Sequence, residues 1–154
     1  MSCSREGLKR YHTNISSKID SKVCITFKGM KNEFMNPSLD LHFGKVRGSN
    51  TLSGEDFAVV GTPHHNNLYY IFLAHECGIE VTNLDMPYAK IVYKNKEFWF
   101  KTFSDERLRK IHLELVEGEL IQAVHRARLI RCNATVWLYS NFPLDQATYV
   151  CTHS

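Results

Sequence analysis

Four consecutive apolar residues constrain the fold of this chain more than any other feature. Residues 57–60 read Phe-Ala-Val-Val, and Gly61, Thr62 and Pro63 follow them directly. A short apolar run that is closed by glycine and proline is typical of a β-strand buried on both faces. Strands of this kind belong to parallel sheets whose faces are covered by helices. The run therefore predicts an α/β sheet with this strand in its interior.

The other strand patterns are short runs of β-branched and aromatic residues. They predict strands at 22–28, 39–43 and 135–139. Two further aromatic-rich runs, 89–93 and 98–103, flank four polar residues. This arrangement predicts a β-hairpin.

Three helical patterns complete the prediction. They lie at residues 67–77, 105–116 and 119–131. Asn66 or Asn67 is the predicted N-cap of the first helix and Ser104 that of the second, because their side-chain oxygens accept hydrogen bonds from helical N–H groups. Gly78 is expected to end the first helix, and Gly118 to separate the second from the third. The first helix is so rich in aromatic and aliphatic residues that it is predicted to be well buried.

The alternation of strands and helices predicts one α/β domain without an internal boundary or repeat. Residues 1–21 are polar and weakly patterned, and we interpret them as a lead-in to a domain that spans 22–154. Ligands of α/β sheets bind at the carboxyl ends of the strands. Three polar or basic segments are expected at such ends: 28–36, 44–54 and 61–67.

Composition places few limits on the partner. The net charge of +3 on 154 residues permits a nucleic-acid partner without arguing for one. The five cysteines show no C-x-x-C spacing, which argues against a disulfide framework or a zinc ribbon and favours a reducing compartment. The sequence shows neither an apolar leader nor a run of about 18 apolar residues. We therefore expect a cytoplasmic protein without a membrane partner.

A basic segment near the end of the chain is the first candidate for chemistry. Residues 119–131 contain Gln122, Arg126 and Arg128. Gln122 and Arg126 are four positions apart, so on a helix they are neighbours that can face one ligand. An arginine fork matches phosphate oxygens with two parallel hydrogen bonds. The alternative interpretation is a solvated basic face of a helix.

The glycine-rich segment 44–54 is the second candidate. Its glycines let the backbone approach a phosphate, and backbone N–H groups with hydroxyl and amide side chains are common donors to nucleic-acid phosphates. The donors and cations of this segment are Lys45, Arg47, Gly48, Ser49, Asn50 and Thr51. A plain connecting loop is the alternative.

The remaining polar and aromatic features receive structural interpretations. No G-x-x-x-x-G-K-[ST] occurs, so the phosphate loop of the Walker type is absent from the sequence. We interpret residues 105–106 as the start of a helix rather than as an acidic motor dyad. Residues 64–65 are two histidines without a carboxylate cluster, and we interpret them as a loop or helix cap rather than as a metal site. His112 is interpreted as a surface or core residue. The aromatic residues at 69–72 and 98–103 are interpreted as core rather than as base-stacking groups.

Three segments together resemble motifs IV, V and VI of superfamily 2 helicases, in that order. They are Val23–Lys28, then Gly44–Thr51 leading into Val59–Pro63, then Gln122–Arg128. The resemblance covers roughly Lys22 to Leu144, and it is to the C-terminal lobe of helicase-like proteins carried by plasmids, phages and other mobile elements. Motif VI is commonly Gln-x-x-Gly-Arg, and His125 stands here in the position of the glycine.

This resemblance implies a fold and a set of site residues. The fold would be a single RecA-like (P-loop NTPase-type) α/β domain with a mainly parallel sheet, flanking helices and a β-hairpin insertion. Arg126 would be an arginine finger, Arg128 its companion, and Gln122 a residue close to the nucleotide. The implied contacts to DNA or RNA are Lys28, Lys45, Arg47, Gly48, Ser49, Asn50 and Thr51.

In that family the nucleotide lies between two RecA-like lobes. The first lobe brings the phosphate loop and the magnesium carboxylates, known as Walker A and Walker B, and this sequence resembles only the second lobe. We therefore expect ATP and magnesium only where a partner lobe is present, and neither on this chain alone. Three hypotheses remain open: a split motor lobe that is inactive alone, an ATP-independent nucleic-acid-binding or regulatory module, and a decayed helicase fragment.

Overall fold

The computed structural model describes residues 5–19, 23–30, 33–34, 41–45 and 51–150. The helices in these ranges are α1 (Arg5–Ile19), α2 (Asn67–Glu76) and α3 (Glu106–Val124). The strands are β1 (Val23–Ile25), β2 (Phe57–Val60), β3 (Tyr88–Tyr93), β4 (Lys96–Lys101) and β5 (Val136–Tyr139). The predicted α/β fold, with a parallel sheet, flanking helices and an antiparallel hairpin, is confirmed. Among the described helices, none is long and apolar enough to cross a membrane.

The parallel sheet has the strand order β1-β2-β5, with β2 in the centre. Phe57, at the start of β2, is aligned with Val23 of β1 and with Val136 of β5. The strand predicted at 39–43 is represented by one parallel bridge between His42 and Thr26, while residues 39 and 40 lie outside the described part of the chain.

All four residues of β2 are buried, as the sequence predicts for a central strand. Neighbouring side chains of a strand point to opposite faces of the sheet. Ala58 and Val60 pack in one cluster with Leu8 and Ile15 of α1. Phe57 and Val59 pack on the other face, together with the apolar residues Val116, Leu120 and Ala123 of α3. The two helices therefore cover the two faces of the sheet.

The hairpin is formed by β3 and β4, and its inner face completes the core. Lys94 and Asn95 both have positive φ angles, 48° and 62°, as a two-residue hairpin turn of type I′ requires. Glu117 of α3 ties this turn to the helix. Its carboxylate accepts hydrogen bonds from Lys94 Nζ at 2.7 Å and from the Tyr93 hydroxyl at 2.9 Å.

Helix α3 is one continuous helix, so the predicted break at Gly118 is wrong. Glycine costs a helix about 1 kcal/mol relative to alanine. Val116, Glu117 and Leu120, on both sides of Gly118, are buried against the sheet and the hairpin, and this shared packing holds the helix together. The predicted N-cap also shifts by one residue, from Ser104 to Asp105.

The end of α3 differs from the helix predicted at 119–131. The helix stops at Val124, a 3₁₀ turn covers 125–127, and Arg128 adopts a left-handed conformation with a φ of 53°. The backbone N–H groups of Arg131 and Cys132 donate to the carbonyl of Arg128, at 2.7 and 2.9 Å. Gln122 therefore lies on the helix, whereas Arg126 and Arg128 lie in the turns that follow it.

Helix α2 begins as predicted but is less buried than predicted. The side chain of Asn66 accepts a hydrogen bond from the Leu68 backbone N–H at 3.0 Å, and Gly78 follows the helix with a φ of +71°. Leu68 and Phe72 are 70% and 59% exposed, and the buried residues are Tyr70 and Ala74. The expectation of a well-buried helix is wrong because α2 packs against α3 on one face only.

Candidate functional site at the amino edge of the sheet

The parallel strands give the sheet two edges with different neighbours. Residues that follow β1, β2 and β5 lie at the carboxyl edge, and residues that precede these strands lie at the amino edge. Helix α3 runs from the first edge to the second. His112, near its start, contacts His64 beyond β2, whereas Ala127, beyond its end, contacts Gly54 before β2. The predicted site residues divide between these two edges.

The amino edge brings two distant segments together. The backbone N–H of Gly54 donates to the carbonyl of Ala127 at 3.1 Å. Leu52 is buried in the same cluster as Ala123 and Ala127. Ser53 Oγ lies 3.9 Å from Cys132 Sγ. Residues 51–54, predicted to lie at a carboxyl end, thus lie at an amino end, against the turns that follow α3.

Arg126, in the turn that follows α3, contacts the backbone of Gln122, near the end of the helix. Arg126 Nε donates to the backbone carbonyl of Gln122 at 3.2 Å, and both residues are partly buried. The last carbonyls of a helix carry a partial negative charge, which favours a cation there. This hydrogen bond holds the Nε atom of Arg126 against the end of α3.

An open cavity of about 270 Å³ lies beside this turn. It is lined by His125, Arg128, Leu129, Ile130 and Arg131. Arg128 and Arg131 are both exposed, and no acidic residue occurs among the lining residues in the described part of the chain. Two of the five lining residues are arginines, whose side chains suit an anionic ligand.

The other predicted nucleic-acid contacts are spread over both edges. Lys28 is exposed in a 3₁₀ turn just after β1, and Lys45 is exposed just after the bridge that joins His42 to Thr26. Thr51 is exposed at the amino edge. Lys28 follows β1, whereas Arg126 follows α3 at the amino edge, so the two predicted site residues lie at different edges of the sheet. The predicted contacts Arg47, Gly48, Ser49 and Asn50 lie outside the described residues.

The carboxyl edge is filled by a hydrogen-bonded group that the sequence interpretation missed. The hydroxyl of Thr62, which is buried, donates to Asn141 Oδ1 at 2.6 Å and lies 2.8 Å from Ser140 Oγ. These bonds join the ends of β2 and β5. Such partners are far apart in sequence, so no local pattern identifies them.

A chain of three side chains extends the same edge towards α3. His112 Nδ1 lies 2.8 Å from the hydroxyl of Thr102, and His112 Nε2 lies 3.0 Å from His64 Nδ1. Burial lowers the pKa of His112 to about 3, and desolvation of the His64 ring, which stacks on Phe100, lowers the pKa of His64 to about 4. Both histidines are therefore neutral at pH 7, and His112 is a hydrogen-bonded core residue. The described residues contain no group of three or more side chains able to hold a metal ion.

No protein-family model matches this chain, and no curated protein or solved structure matches it significantly. The fold defines its class as an α/β domain with a three-stranded parallel sheet, flanking helices and an antiparallel hairpin. Its two edges differ in chemistry. At the carboxyl edge, neutral hydrogen-bonded side chains follow β2 and β5, and the exposed lysines Lys28 and Lys45 follow β1 and the bridge at His42. The amino edge presents arginines beside a glycine-containing turn.

Proposed function

We propose that this chain is an incomplete helicase lobe, which supplies an arginine finger and nucleic-acid contacts to an ATP-dependent motor and is inactive alone. The observation that carries the proposal is the bond from Gly54 N–H to the Ala127 carbonyl at the amino edge. Gly54 lies between the two parts of the segment that resembles helicase motif V, and Ala127 lies in the segment that resembles motif VI. In a motor lobe these motifs serve one nucleotide and one nucleic-acid strand, so they have to lie together.

The proposed arginine finger is Arg126, with Arg128 as its companion. The Nε group of Arg126 donates to the Gln122 carbonyl, and an arginine guanidinium forms bidentate hydrogen bonds with phosphate. A finger of this kind stabilises the negative charge that develops on a transferring phosphoryl group. It contributes about three to five orders of magnitude in rate when the rest of the site is present.

The rest of the site would come from a second lobe. Arginines stabilise charge, but they neither position magnesium nor activate the attacking water. The sequence contains no G-x-x-x-x-G-K-[ST] loop, which in motors of this kind holds the phosphates of MgATP. In this proposal, ATP and magnesium are therefore bound by a partner lobe that carries Walker A and Walker B.

ATP hydrolysis by the isolated chain tests whether a partner lobe is needed to bind ATP and magnesium. Incubated with ATP, magnesium and a single-stranded oligonucleotide, the chain is expected to release no phosphate above the buffer rate. Arg126→Ala is expected to behave like the wild type, and so is the control Arg109→Ala, which changes an arginine near the start of α3. Turnover that collapses on Arg126→Ala but survives Arg109→Ala would overturn the proposal, because the site would then be complete within this chain.

An ATP-independent nucleic-acid-binding module is the second candidate, and the arginine-lined cavity beside Arg128 favours it. This function predicts binding to single strands that weakens with salt and is unchanged by ATP. Each phosphate contact on a single strand contributes about 0.7 to the slope of log K against log salt concentration. The double variant Lys45→Gln/Arg47→Gln is expected to lower that slope by about 1.4. A chain with neither binding nor turnover would instead be a decayed fragment.

A further inference from the structure

The two faces of the β3–β4 hairpin have opposite character. Side chains alternate along each strand, so one face of the hairpin packs on the core through residues such as Ile91 and Phe100. The other face is exposed along its whole length. This outer face consists of Tyr88, Lys90, Val92, Glu97, Trp99 and Lys101.

Two aromatic rings lie together on this outer face. Tyr88 and Trp99 are 55% and 54% exposed. Their ring centroids are 5.7 Å apart, with an angle of 22° between the planes. The sequence interpretation assigned the aromatic residues of 98–103 to the core, which is right for Phe100 and Phe103 but wrong for Trp99. Exposed apolar surface of this kind marks interaction sites, and a ladder of paired strands holds the rings in place.

A lysine lies directly across the ladder from each ring. Lys101 is paired with Tyr88, and Lys90 is paired with Trp99. Lys90 also forms an ion pair with Glu97 at 2.8 Å, in which both side chains are about half exposed. The outer face therefore combines two stacked rings with two cations and one anion. A purely apolar partner would have to desolvate these lysines, whereas a single strand offers bases to the rings and phosphates to the ammonium groups.

We propose that the outer face of the β3–β4 hairpin binds single-stranded nucleic acid, with bases stacked on Tyr88 and Trp99 and phosphates near Lys101 and Lys90. This site shares the nucleic-acid ligand of the proposed function but uses none of its residues. It supplies stacking energy with little sequence preference, because every base has a π face. The hairpin thus adds a second contact to a strand that the amino edge also binds.

Tryptophan fluorescence gives a direct readout of this contact. The chain has two tryptophans, at 99 and 137, so Trp137→Phe leaves Trp99 as the only indole. Titration of this variant with a single-stranded oligonucleotide is expected to quench Trp99. In anisotropy titrations, Tyr88→Ala and Trp99→Ala in the otherwise wild-type chain are each expected to weaken binding by about 5- to 150-fold. Val92→Ala, on the same face but without a ring, is the matched control and is expected to leave affinity unchanged.

Salt and a second set of variants separate this site from the other proposed nucleic-acid contacts. Tyr88→Ala is expected to leave the slope of log K against log salt unchanged, whereas Lys101→Gln lowers it by about 0.7. Lys45→Gln/Arg47→Gln in the Trp137→Phe background is expected to weaken binding but preserve the Trp99 quench at saturation. The quenching of Trp99 is expected even if the arginines prove to have no role with ATP. The hairpin site and the proposed motor function can therefore fail independently.

Three results would overturn the hairpin site. One is saturable binding without any change in Trp99 fluorescence and with full affinity in Tyr88→Ala. Another is the absence of single-strand binding at all. A third is a concentration-dependent dimer, seen by sedimentation, that Tyr88→Ala dissociates, because the rings would then pack against a second copy of the chain. Circular dichroism of each variant verifies that these exposed substitutions leave the fold intact.

Discussion

Gly61 ends the central strand, and its geometry admits no side chain. Its φ is +113°, and a Cβ built there would lie 2.7 Å from Phe27 Cε2 and 3.2 Å from Leu8 Cδ1. We predict that Gly61→Ala destabilises the protein by about 1–3 kcal/mol, because it combines backbone strain with a clash against a packed ring. Chemical denaturation measures this. Gly29→Ala is the control, since a Cβ there meets nothing within 4 Å, and equal stability of the two variants would contradict the prediction.

His112 makes stability depend on pH. Its pKa in the folded protein is lowered by burial to about 3, below the ordinary value near 6.5. Below pH 6.5 the unfolded chain therefore binds a proton that the folded chain does not. Stability is expected to fall as the pH drops from 6.5 towards the folded pKa, by up to about 1.4 kcal/mol per pH unit for this group.

Urea unfolding at pH 7, 6 and 5 tests this dependence. His112→Gln is expected to lower stability at pH 7 and to flatten its decline towards pH 5. If the free energy of unfolding declined with pH equally in the wild type and in His112→Gln, the proposed contribution of His112 to the pH dependence would be refuted. The pairing of His112 with His64 was not predictable from spacing, because 48 positions separate the two residues.

At the scale of elements, Gly118 tests whether α3 is one helix. A Cβ at Gly118 would meet nothing within 4 Å. In the interior of a continuous helix, Gly118→Ala is predicted to stabilise the protein by about 0.5–1 kcal/mol, since alanine loses less backbone entropy on folding. Denaturant titration measures the change. A loss of stability would indicate that the backbone at 118 needs glycine and that the helix breaks there.

Sequence patterns within a few residues predicted the elements whose formation depends on neighbouring residues in the chain. The apolar run of β2 and the Asn66 cap are present where the sequence indicated them. The predicted hairpin is also present, with a two-residue turn in place of the four-residue link. The errors concern packing between distant segments. The break at Gly118 and the burial of α2 were wrong because contacts with other elements decide whether a helix continues and which of its faces is covered.

At the scale of the whole molecule, the sequence indicated candidate residues but not where they would meet. Open α/β sheets bind their own ligands at the carboxyl edge, and here that edge is filled by Thr62, Ser140 and Asn141. Residues 51–54 and the turn after α3 meet at the amino edge instead, through a bond between Gly54 and Ala127. The proposed function accommodates this position, because the nucleotide would be held by another lobe rather than by this sheet.

Hydrogen–deuterium exchange with and without a saturating single-stranded oligonucleotide tests the use of the amino edge most directly. We predict slower exchange on binding in peptides that cover residues 51–54 and 122–132. Peptides that cover 61–66 and 140–142, at the opposite edge, are expected to exchange at unchanged rates. Protection confined to the carboxyl-edge peptides, with 51–54 and 122–132 unaffected, would contradict the proposal.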